Sequence, residues 1–237
     1  MLKLHFLGRG AAFYPVFRNT NAFFETFFEK GKNLFFLDFG ESAFAQVAAA
    51  LPLKEYEKIY VLLTHLHADH SGSLASMTSY LYFVLHKKLT IVHPEDTVVR
   101  LLALQGVGAE CYEYLPELPQ DTGICAEPVP VQHALDIHAY GYRLTCDGET
   151  LYYSGDAAQL PPSVLEDFLA GKISHIYHDT ASHPSDSHCY YQRLVDAIPP
   201  ALRSRVSCMH LDCDMEQQLR ALGFDVVQCF DQEPPQA

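Results

Sequence analysis

The 237-residue chain has no apolar run of membrane-spanning length, no Cys-x-x-Cys pair and no low-complexity tract. Because a membrane-spanning helix needs roughly 20 consecutive apolar residues, the first absence excludes an integral membrane protein. The opening residues also lack the long apolar core of a secretory signal peptide. The cysteines number seven, which is odd, and without paired spacing they are expected to be reduced and mostly buried in a cytoplasmic protein.

Basic residues are also scarce, since 16 lysines and arginines stand against 29 aspartates and glutamates and the net charge is −13. An acidic protein repels polyanions at long range, which counts against binding of long nucleic acids. Linkers and repeats of solenoid period are missing too. With 49% hydrophobic residues, the composition predicts one globular domain that spans residues 1–237.

One heptapeptide, Thr-His-Leu-His-Ala-Asp-His at residues 64–70, is the strongest functional signal in the chain. It directly follows an apolar run that predicts a buried strand. Side chains alternate in an extended segment, so His65 and His67 should point the same way and can bind one metal ion. Asp69 and His70 follow where the chain should turn, so they can face a second ion. A solvated turn would explain one isolated histidine, whereas this cluster indicates a metal site.

Hydrophobic periodicity predicts strands and helices that alternate in both halves of the chain. The predicted strands are Leu2 to Leu7, Ala22 to Glu29, Asn33 to Asp38, Ile59 to Leu63, Leu89 to Val92, Cys111 to Leu115, Ile124 to Gln132, Ala139 to Cys146, Thr150 to Ser154, Ile173 to His178, Val206 to Met209 and Asp225 to Val227. The predicted helices are Ser42 to Leu51, Ser71 to Lys88, Glu95 to Gln105, Pro161 to Ala170, His188 to Ile198 and Met215 to Leu222. Hairpin turns are expected at residues 30–32 and 147–148. This order predicts an α/β protein with two sheets packed face to face and helices outside.

Three further metal-binding side chains are expected just past strands, namely His133, Asp156 and His210. Any one of them alone would more often be structural, because polar residues also cap strands and fill turns. Strand ends from both halves should meet along one edge of the sandwich. There these three residues and the heptapeptide supply seven ligands, a count that suits two ions sharing a bridging carboxylate.

Five segments occur in the order found in one enzyme superfamily. They are Phe6-Leu7-Gly8 with Arg18-Asn19-Thr20, Leu37-Asp38-Phe39-Gly40-Glu41, the heptapeptide, Tyr153-Ser154-Gly155-Asp156, and Met209-His210-Leu211. Through these segments the chain resembles the metallo-β-lactamase superfamily, and within it the ribonuclease Z-like phosphodiesterase branch. The resemblance covers nearly the whole chain, and the heptapeptide is its most specific part. It implies an αββα sandwich, a four-layer α+β fold of the metallo-hydrolase/oxidoreductase type.

The resemblance also implies a role for each candidate ligand. One ion would be bound by His65, His67 and His133, the other by Asp69, His70 and His210, with Asp156 bridging them. Asp38 would lie behind the metal-binding turn and orient a ligand. Class B β-lactamases replace the residue that is His70 here, and the diiron flavoproteins of the superfamily have glutamate in place of His67. These departures count against β-lactam hydrolysis and against oxygen reduction.

A proton donor for the leaving oxygen is expected among residues 178–188. His178-Asp179-Thr180 resembles the His-Glu-Ala-Thr-like motif of the ribonuclease Z-like branch with aspartate in place of glutamate, and His188 fits a second histidine that begins a helix there. We expect His188 to be the acid, with Asp179 and His178 supporting it. His183 is the competing donor, and a hydroxyl-rich helix cap is the structural alternative for this segment.

Two divalent ions could activate a water molecule and stabilise the leaving group, while Asp69 and Asp156 hold the proton of that water. The first hypothesis is therefore a dinuclear phosphodiesterase with zinc, or else manganese or iron, acting on a small or short phosphodiester. Transfer-RNA maturation is disfavoured because the family's Gly/Pro-rich arm has no evident counterpart. The alternatives are a hydrolase of a lactone, thioester or amide, and a non-catalytic, metal-dependent ligand-binding protein. Dimers are common in the superfamily, so a homodimer is expected.

Overall fold

The computed structural model describes residues 2–28 and 31–232, which form two six-stranded β-sheets covered by helices. The strands are β1 (His5–Phe6), β2 (Ala22–Phe28), β3 (Gly31–Leu37), β4 (Ile59–Leu62), β5 (Leu89–Val92), β6 (Tyr112–Leu115), β7 (Cys125–Val131), β8 (Ala139–Cys146), β9 (Glu149–Tyr153), β10 (His175–Asp179), β11 (Val206–Met209) and β12 (Asp225–Val226). The α-helices are α1 (Ala43–Ala50), α2 (Ala68–Ser71), α3 (Leu74–Leu85), α4 (Thr97–Leu104), α5 (Pro162–Leu169), α6 (Tyr191–Ala197) and α7 (Glu216–Ala221).

The two sheets share one internal order. Sheet 1 contains β1 to β6 and sheet 2 contains β7 to β12, each with its strands in sequence order. In each sheet the first three strands pair antiparallel and the remaining neighbours pair parallel. Parallel neighbours need crossover connections, and α-helices provide them, so the carboxyl ends of these strands lie at one edge of each sheet. The predicted hairpin between β2 and β3 pairs as expected, although residues 29 and 30 of its turn lie outside the described residues.

Apolar side chains cover both faces of each sheet and produce four layers. In β3, Phe36 packs in the cluster beneath α1, α3 and α4, whereas the neighbouring Phe35 lies between the two sheets. The ring of Phe35 is stacked between those of Phe24 and Tyr60, with centroid separations of 4.9 and 4.5 Å. Sheet 2 packs against α5, α6 and α7 on its outer face. The predicted αββα sandwich is confirmed.

Most element boundaries differ from the prediction by one to three residues, and two strands illustrate why. The strand predicted from Leu2 to Leu7 is reduced to β1, because only His5 and Phe6 find partners on β2. The strand predicted to end at His178 includes one more residue, Asp179, which pairs with Met209 of β11.

All seven cysteines are free, and four of them, Cys111, Cys189, Cys208 and Cys229, are buried, whereas Cys125 is exposed. Burial raises the pKa of the Cys208 thiol to about 12, so this cysteine behaves as a packing residue. Within residues 2–28 and 31–232, no helix combines the length and apolar character needed to cross a membrane.

Candidate metal centre

Side chains from both sheets meet at the edge where strands end. The heptapeptide follows β4, and its second half forms the short helix α2. Five other polar residues follow or end a strand, namely Asp38 after β3, His133 after β7, Asp156 after β9, Asp179 at the end of β10 and His210 after β11. All seven predicted ligands are thereby brought together in two groups that share this edge.

The first group consists of His65, His67 and His133. The Nδ1 atom of His67 lies 3.0 Å from Nε2 of His65 and 3.1 Å from Nε2 of His133. Three imidazole nitrogens that all lie within 4.8 Å of one another form a donor set that suits a zinc-type ion.

The second group consists of Asp69, His70, Asp156 and His210. The Nε2 atoms of His70 and His210 each lie 3.2 Å from Oδ2 of Asp69, and they lie 3.1 and 3.3 Å from Oδ1 of Asp156. The other oxygen of Asp156 lies 3.9 Å from Nε2 of His65 and 3.7 Å from Nε2 of His133. Asp156 therefore presents one carboxylate oxygen to each group.

Buried polar atoms in the second group support its fit to a cation. Nε2 of His70 and Oδ1 of Asp156 lie 3.1 Å apart without the geometry of a hydrogen bond, and neither buried atom has a hydrogen-bond partner among the described residues. Such orphaned atoms are costly unless a further partner satisfies them. Imidazole and carboxylate donors at this spacing are those that divalent transition metals prefer, so the residues present fit a metal pair.

The pKa shifts of the buried histidines also support a fit to divalent cations. Burial lowers the pKa of His210, but the carboxylates of Asp156 and Asp179 outweigh it and raise that pKa to about 10. The pKa of His70 is raised well above its ordinary value for the same reason, because three carboxylates surround a ring that burial alone would keep neutral. In the first group, burial holds the pKa of His65 well below its ordinary value. A divalent ion would provide the positive charge that protons supply to the second group.

Asp38, which contacts a predicted ligand, and His210, which is one, both have left-handed backbone conformations. Asp38 has φ 64°, and its carboxylate accepts hydrogen bonds from the backbone N–H of Thr64 at 2.7 Å and from Nδ1 of His70 at 2.8 Å. It therefore contacts one of the predicted ligands, His70. His210 has φ 56°, and its backbone N–H donates to Oγ1 of Thr20 at 3.1 Å.

Asn21, which was not among the predicted site residues, holds the heptapeptide against the loop that follows β3. Its side chain accepts a hydrogen bond from the backbone N–H of Gly40 at 2.8 Å and donates to the carbonyl of Asp69 at 3.1 Å. Gly40 approaches so closely that a Cβ there would lie 1.8 Å from that carbonyl oxygen. Gly40 belongs to one of the matching segments, whereas nothing in the local pattern marks Asn21.

His188 lies beside the second group. Its Nδ1 is 2.8 Å from Oδ2 of Asp179 and 3.9 Å from Oδ2 of Asp156. Burial lowers the pKa of His188, but the hydrogen bond and charge of Asp179, together with the charge of Asp156, outweigh burial and raise it. The predicted helix start at His188 is wrong, because α6 begins at Tyr191. Instead, Oγ of Ser185 accepts a hydrogen bond from the backbone N–H of His188 at 3.2 Å and forms a separate turn.

The other two histidines of this segment are less favourably placed. The side chain of His183 lines the cleft but is 70% exposed, and its Nδ1 lies 2.9 Å from Oδ2 of Asp212. His178 is fully buried, bonds through Nδ1 to the carbonyl of Asp179 and is not among the residues that line the cleft.

A cleft of about 610 Å³ gives access to both groups. Its lining residues are Ala11, Ala12, Phe13, Tyr14, Glu41, His67, Ala68, Asp69, His133, Ala134, Asp156, Ala181, His183, Ser185, Ser187, His188, His210 and Asp212. No lysine or arginine occurs among these described residues, so metal ions and histidines would have to balance the charge of a bound phosphate.

Comparison with known protein sequences gives one family. The family described as anti-Pycsar protein Apyc1 matches residues 2–228. The chain is 26% identical to an anti-Pycsar protein Apyc1 from Paenibacillus xerothermodurans, over 94% of this chain and 92% of that protein. It is also 26% identical to one from Bacillus phage BSP38, over 93% of each.

Several solved structures share the fold at lower sequence identity. A diphosphatase of the PhnP family has a TM-score of 0.69 and 19% identity, over 97% of this chain and 96% of that one. The short form of human tRNase Z has a TM-score of 0.67 and 18% identity, over 96% of each chain. Zn²⁺-bound PqqB from Methylobacterium extorquens has a TM-score of 0.67 and 12% identity, over 97% and 98%.

Proposed function

We propose that this chain, which belongs to the anti-Pycsar protein Apyc1 family, cleaves a small phosphodiester such as a cyclic nucleotide. Its fold is that of the metallo-β-lactamase superfamily, and it is a metal-dependent hydrolase of the phosphodiesterase type.

The position of Asp156 between the two groups is the observation that carries this proposal. Seven ligands divided around one shared carboxylate suit two ions, and zinc fits a donor set of imidazoles and carboxylates. Bound there, the ions would supply positive charge for the phosphate oxygens and lower the pKa of water.

The residues of the chain have complementary roles. Asp69 and Asp156 would accept the proton of the attacking water and orient it. His188 would donate a proton to the leaving oxygen, because its ring lines the cleft beside the second group and the carboxylate of Asp179 stabilises its protonated form. Asp179 binds Nδ1 of that ring at 2.8 Å, which leaves Nε2 as the donor.

The size and charge of the cleft favour a small substrate. Its volume of about 610 Å³ lies within the range of small-molecule sites, roughly 300–1,000 Å³. A net charge of −13 repels a long polyanion, whereas a single phosphodiester carries one negative charge that two ions can balance.

The proposal is tested with His188→Ala in the metal-loaded protein. Turnover of a 3′,5′-cyclic nucleotide, whose leaving ribose oxygen needs a proton, should fall by about 10²–10⁴-fold, as expected for loss of a general acid, while elemental analysis shows unchanged metal content. His183→Ala is the matched control and should change turnover only a few-fold. Unchanged turnover in His188→Ala would remove this residue from the role.

A substrate screen tests the bond that is cleaved. The wild-type protein should hydrolyse 3′,5′-cyclic nucleotides or short linear dinucleotides. Activity confined to lactones, thioesters or amides would contradict the phosphodiesterase proposal, and so would retention of a nucleotide with no product after prolonged incubation.

A further inference from the structure

The loop at residues 11–18 is fixed to the same strand end that carries His210. The backbone N–H of Ala11 donates to the carbonyl of Leu211 at 2.9 Å, and the N–H of Leu211 donates to the carbonyl of Arg9 at 2.8 Å. Three further backbone hydrogen bonds close the loop internally. Since Leu211 directly follows His210, the tip of the loop is held in a defined position relative to the candidate metal centre.

Phe13, at the tip of this loop, lines the cleft although it is 98% exposed. No ring of another described residue stacks on it. The same loop also contributes Ala11, Ala12 and Tyr14 to the lining, and the ring of Tyr14 lies edge-on to that of Phe17, with centroids 4.9 Å apart. The cleft therefore combines the carboxylates and imidazoles of the metal centre with one exposed ring, that of Phe13, which has no ring partner among the described residues.

We propose that Phe13 stacks on the nucleobase of the substrate and makes the enzyme selective for nucleotide phosphodiesters over those without a base. This inference rests on the proposed function, because it gives a binding position to the base of the same nucleotide whose phosphodiester would be cleaved at the metal centre. Every base has a π face and can stack on an aromatic side chain. Purine and pyrimidine substrates should therefore have similar KM values.

The chain itself offers a direct reporter of this contact. It contains no tryptophan, so Phe13→Trp places the only indole at the proposed stacking position. We expect saturable quenching of its emission by the 3′,5′-cyclic phosphorothioates of adenosine and uridine, and none by the corresponding ribose compound without a base. Phe27→Trp is the matched control, since Phe27 is 80% exposed on β2 and does not line the cleft.

Steady-state kinetics give an independent readout. Phe13→Ala should raise KM for cyclic nucleotides roughly five- to thirty-fold, as expected for loss of one base–aromatic stack. The effect should fall on KM because stacking stabilises bound substrate and transition state equally. Phe13→Tyr keeps an aromatic ring and should have a KM near that of the wild type. Phe27→Ala should not alter KM.

The possible outcomes separate this inference from the proposed function. An equal rise in KM for a base-free cyclic phosphate, or no quenching of Phe13→Trp by nucleotides, would overturn the stacking role. Emission that changes only with protein concentration would place the ring against a second copy of the chain and would also overturn it. Nucleotide-dependent quenching in a protein that hydrolyses no phosphodiester would support the stacking role and refute the proposed function.

Discussion

Asp38 and His210 combine a buried polar side chain with a left-handed backbone, at φ 64° and φ 56°. For residues other than glycine this conformation costs about 1–2 kcal/mol. The conformation persists because the surrounding contacts fix it, and at Asp38 those contacts are to Thr64 and His70. Strain of this kind is concentrated where a site needs one defined orientation of a side chain.

Asp38→Asn tests whether this carboxylate orients His70. Asparagine also tolerates the left-handed region, so the backbone conformation should be retained. The substitution removes the negative charge that the carboxylate of Asp38 places beside Nδ1 of His70. Metal affinity should fall about 10- to 100-fold, the usual effect of removing a partner of a ligand, as measured by competition with a chelating dye.

Asp147→Asn provides the control for Asp38→Asn. Asp147 also has a positive φ, 50°, but lies in the exposed turn between β8 and β9. Its substitution should leave metal affinity unchanged. Equal affinities of the two variants would contradict an orienting role for Asp38.

Individual site residues differed in how far the sequence revealed them. The heptapeptide was recognisable because alternation and ligand spacing are local properties, and the structure brings its side chains together with His133, Asp156 and His210. Asn21 was not recognisable, because its hydrogen bonds reach Gly40 and Asp69, which are distant in sequence. Positive φ values at Asp38 and His210 were equally hidden, since neither residue type requires them.

At the scale of elements, the contact between the loop that follows β3 and the heptapeptide depends on Gly40. Gly40→Ala would force a Cβ against the carbonyl oxygen of Asp69, and only backbone movement could relieve this overlap. We expect a loss of about 2–4 kcal/mol in the free energy of unfolding, seen as a fall in Tm of about 5–15 °C. The amount of metal bound per chain should also fall in Gly40→Ala.

Gly108→Ala serves as the comparison for Gly40→Ala. A Cβ at Gly108 would meet only the carboxylate end of Glu110, a flexible side chain that can move away. Its Tm should remain within about 2 °C of the wild type. If both variants melted at the same temperature, close packing at Gly40 would not be a source of stability.

Elements with strong hydrophobic periodicity were predicted well, whereas details that depend on long-range contacts were not. The bounds of β5, β8 and β11 match the prediction, because apolar runs there end at polar turns. Ser42, the first residue of the predicted helix, occupies the N-cap position of α1 without a capping hydrogen bond. Its Oγ instead accepts from the backbone N–H of Asn19, a long-range partner that local sequence does not reveal.

For the whole molecule, the ligands connect the two sheets. The heptapeptide belongs to the half of the chain that forms sheet 1, whereas His133, Asp156 and His210 belong to the half that forms sheet 2. Ions bound between them should therefore stabilise the packing of one half on the other, in addition to any role in the reaction.

Removal of the ions should lower the stability of the entire chain. A ligand at 1,000 times its Kd contributes about 4 kcal/mol, so an excess of EDTA should lower Tm by about 10 °C or more. Added Zn²⁺ should restore it. A Tm that is insensitive to EDTA, in protein shown by elemental analysis to have lost its metal, would contradict this coupling.

The stacked rings of Phe24, Phe35 and Tyr60 have a consequence for motion between the sheets. Phe35 is enclosed on both ring faces, so its half-turn about the Cβ–Cγ bond requires transient expansion of the surrounding core. Its two ring edges should give separate proton resonances in NMR spectra. The exchange rate between them would measure how often the core around Phe35 expands enough for the ring to turn. A single averaged signal down to low temperature would indicate a looser interior than this stack implies.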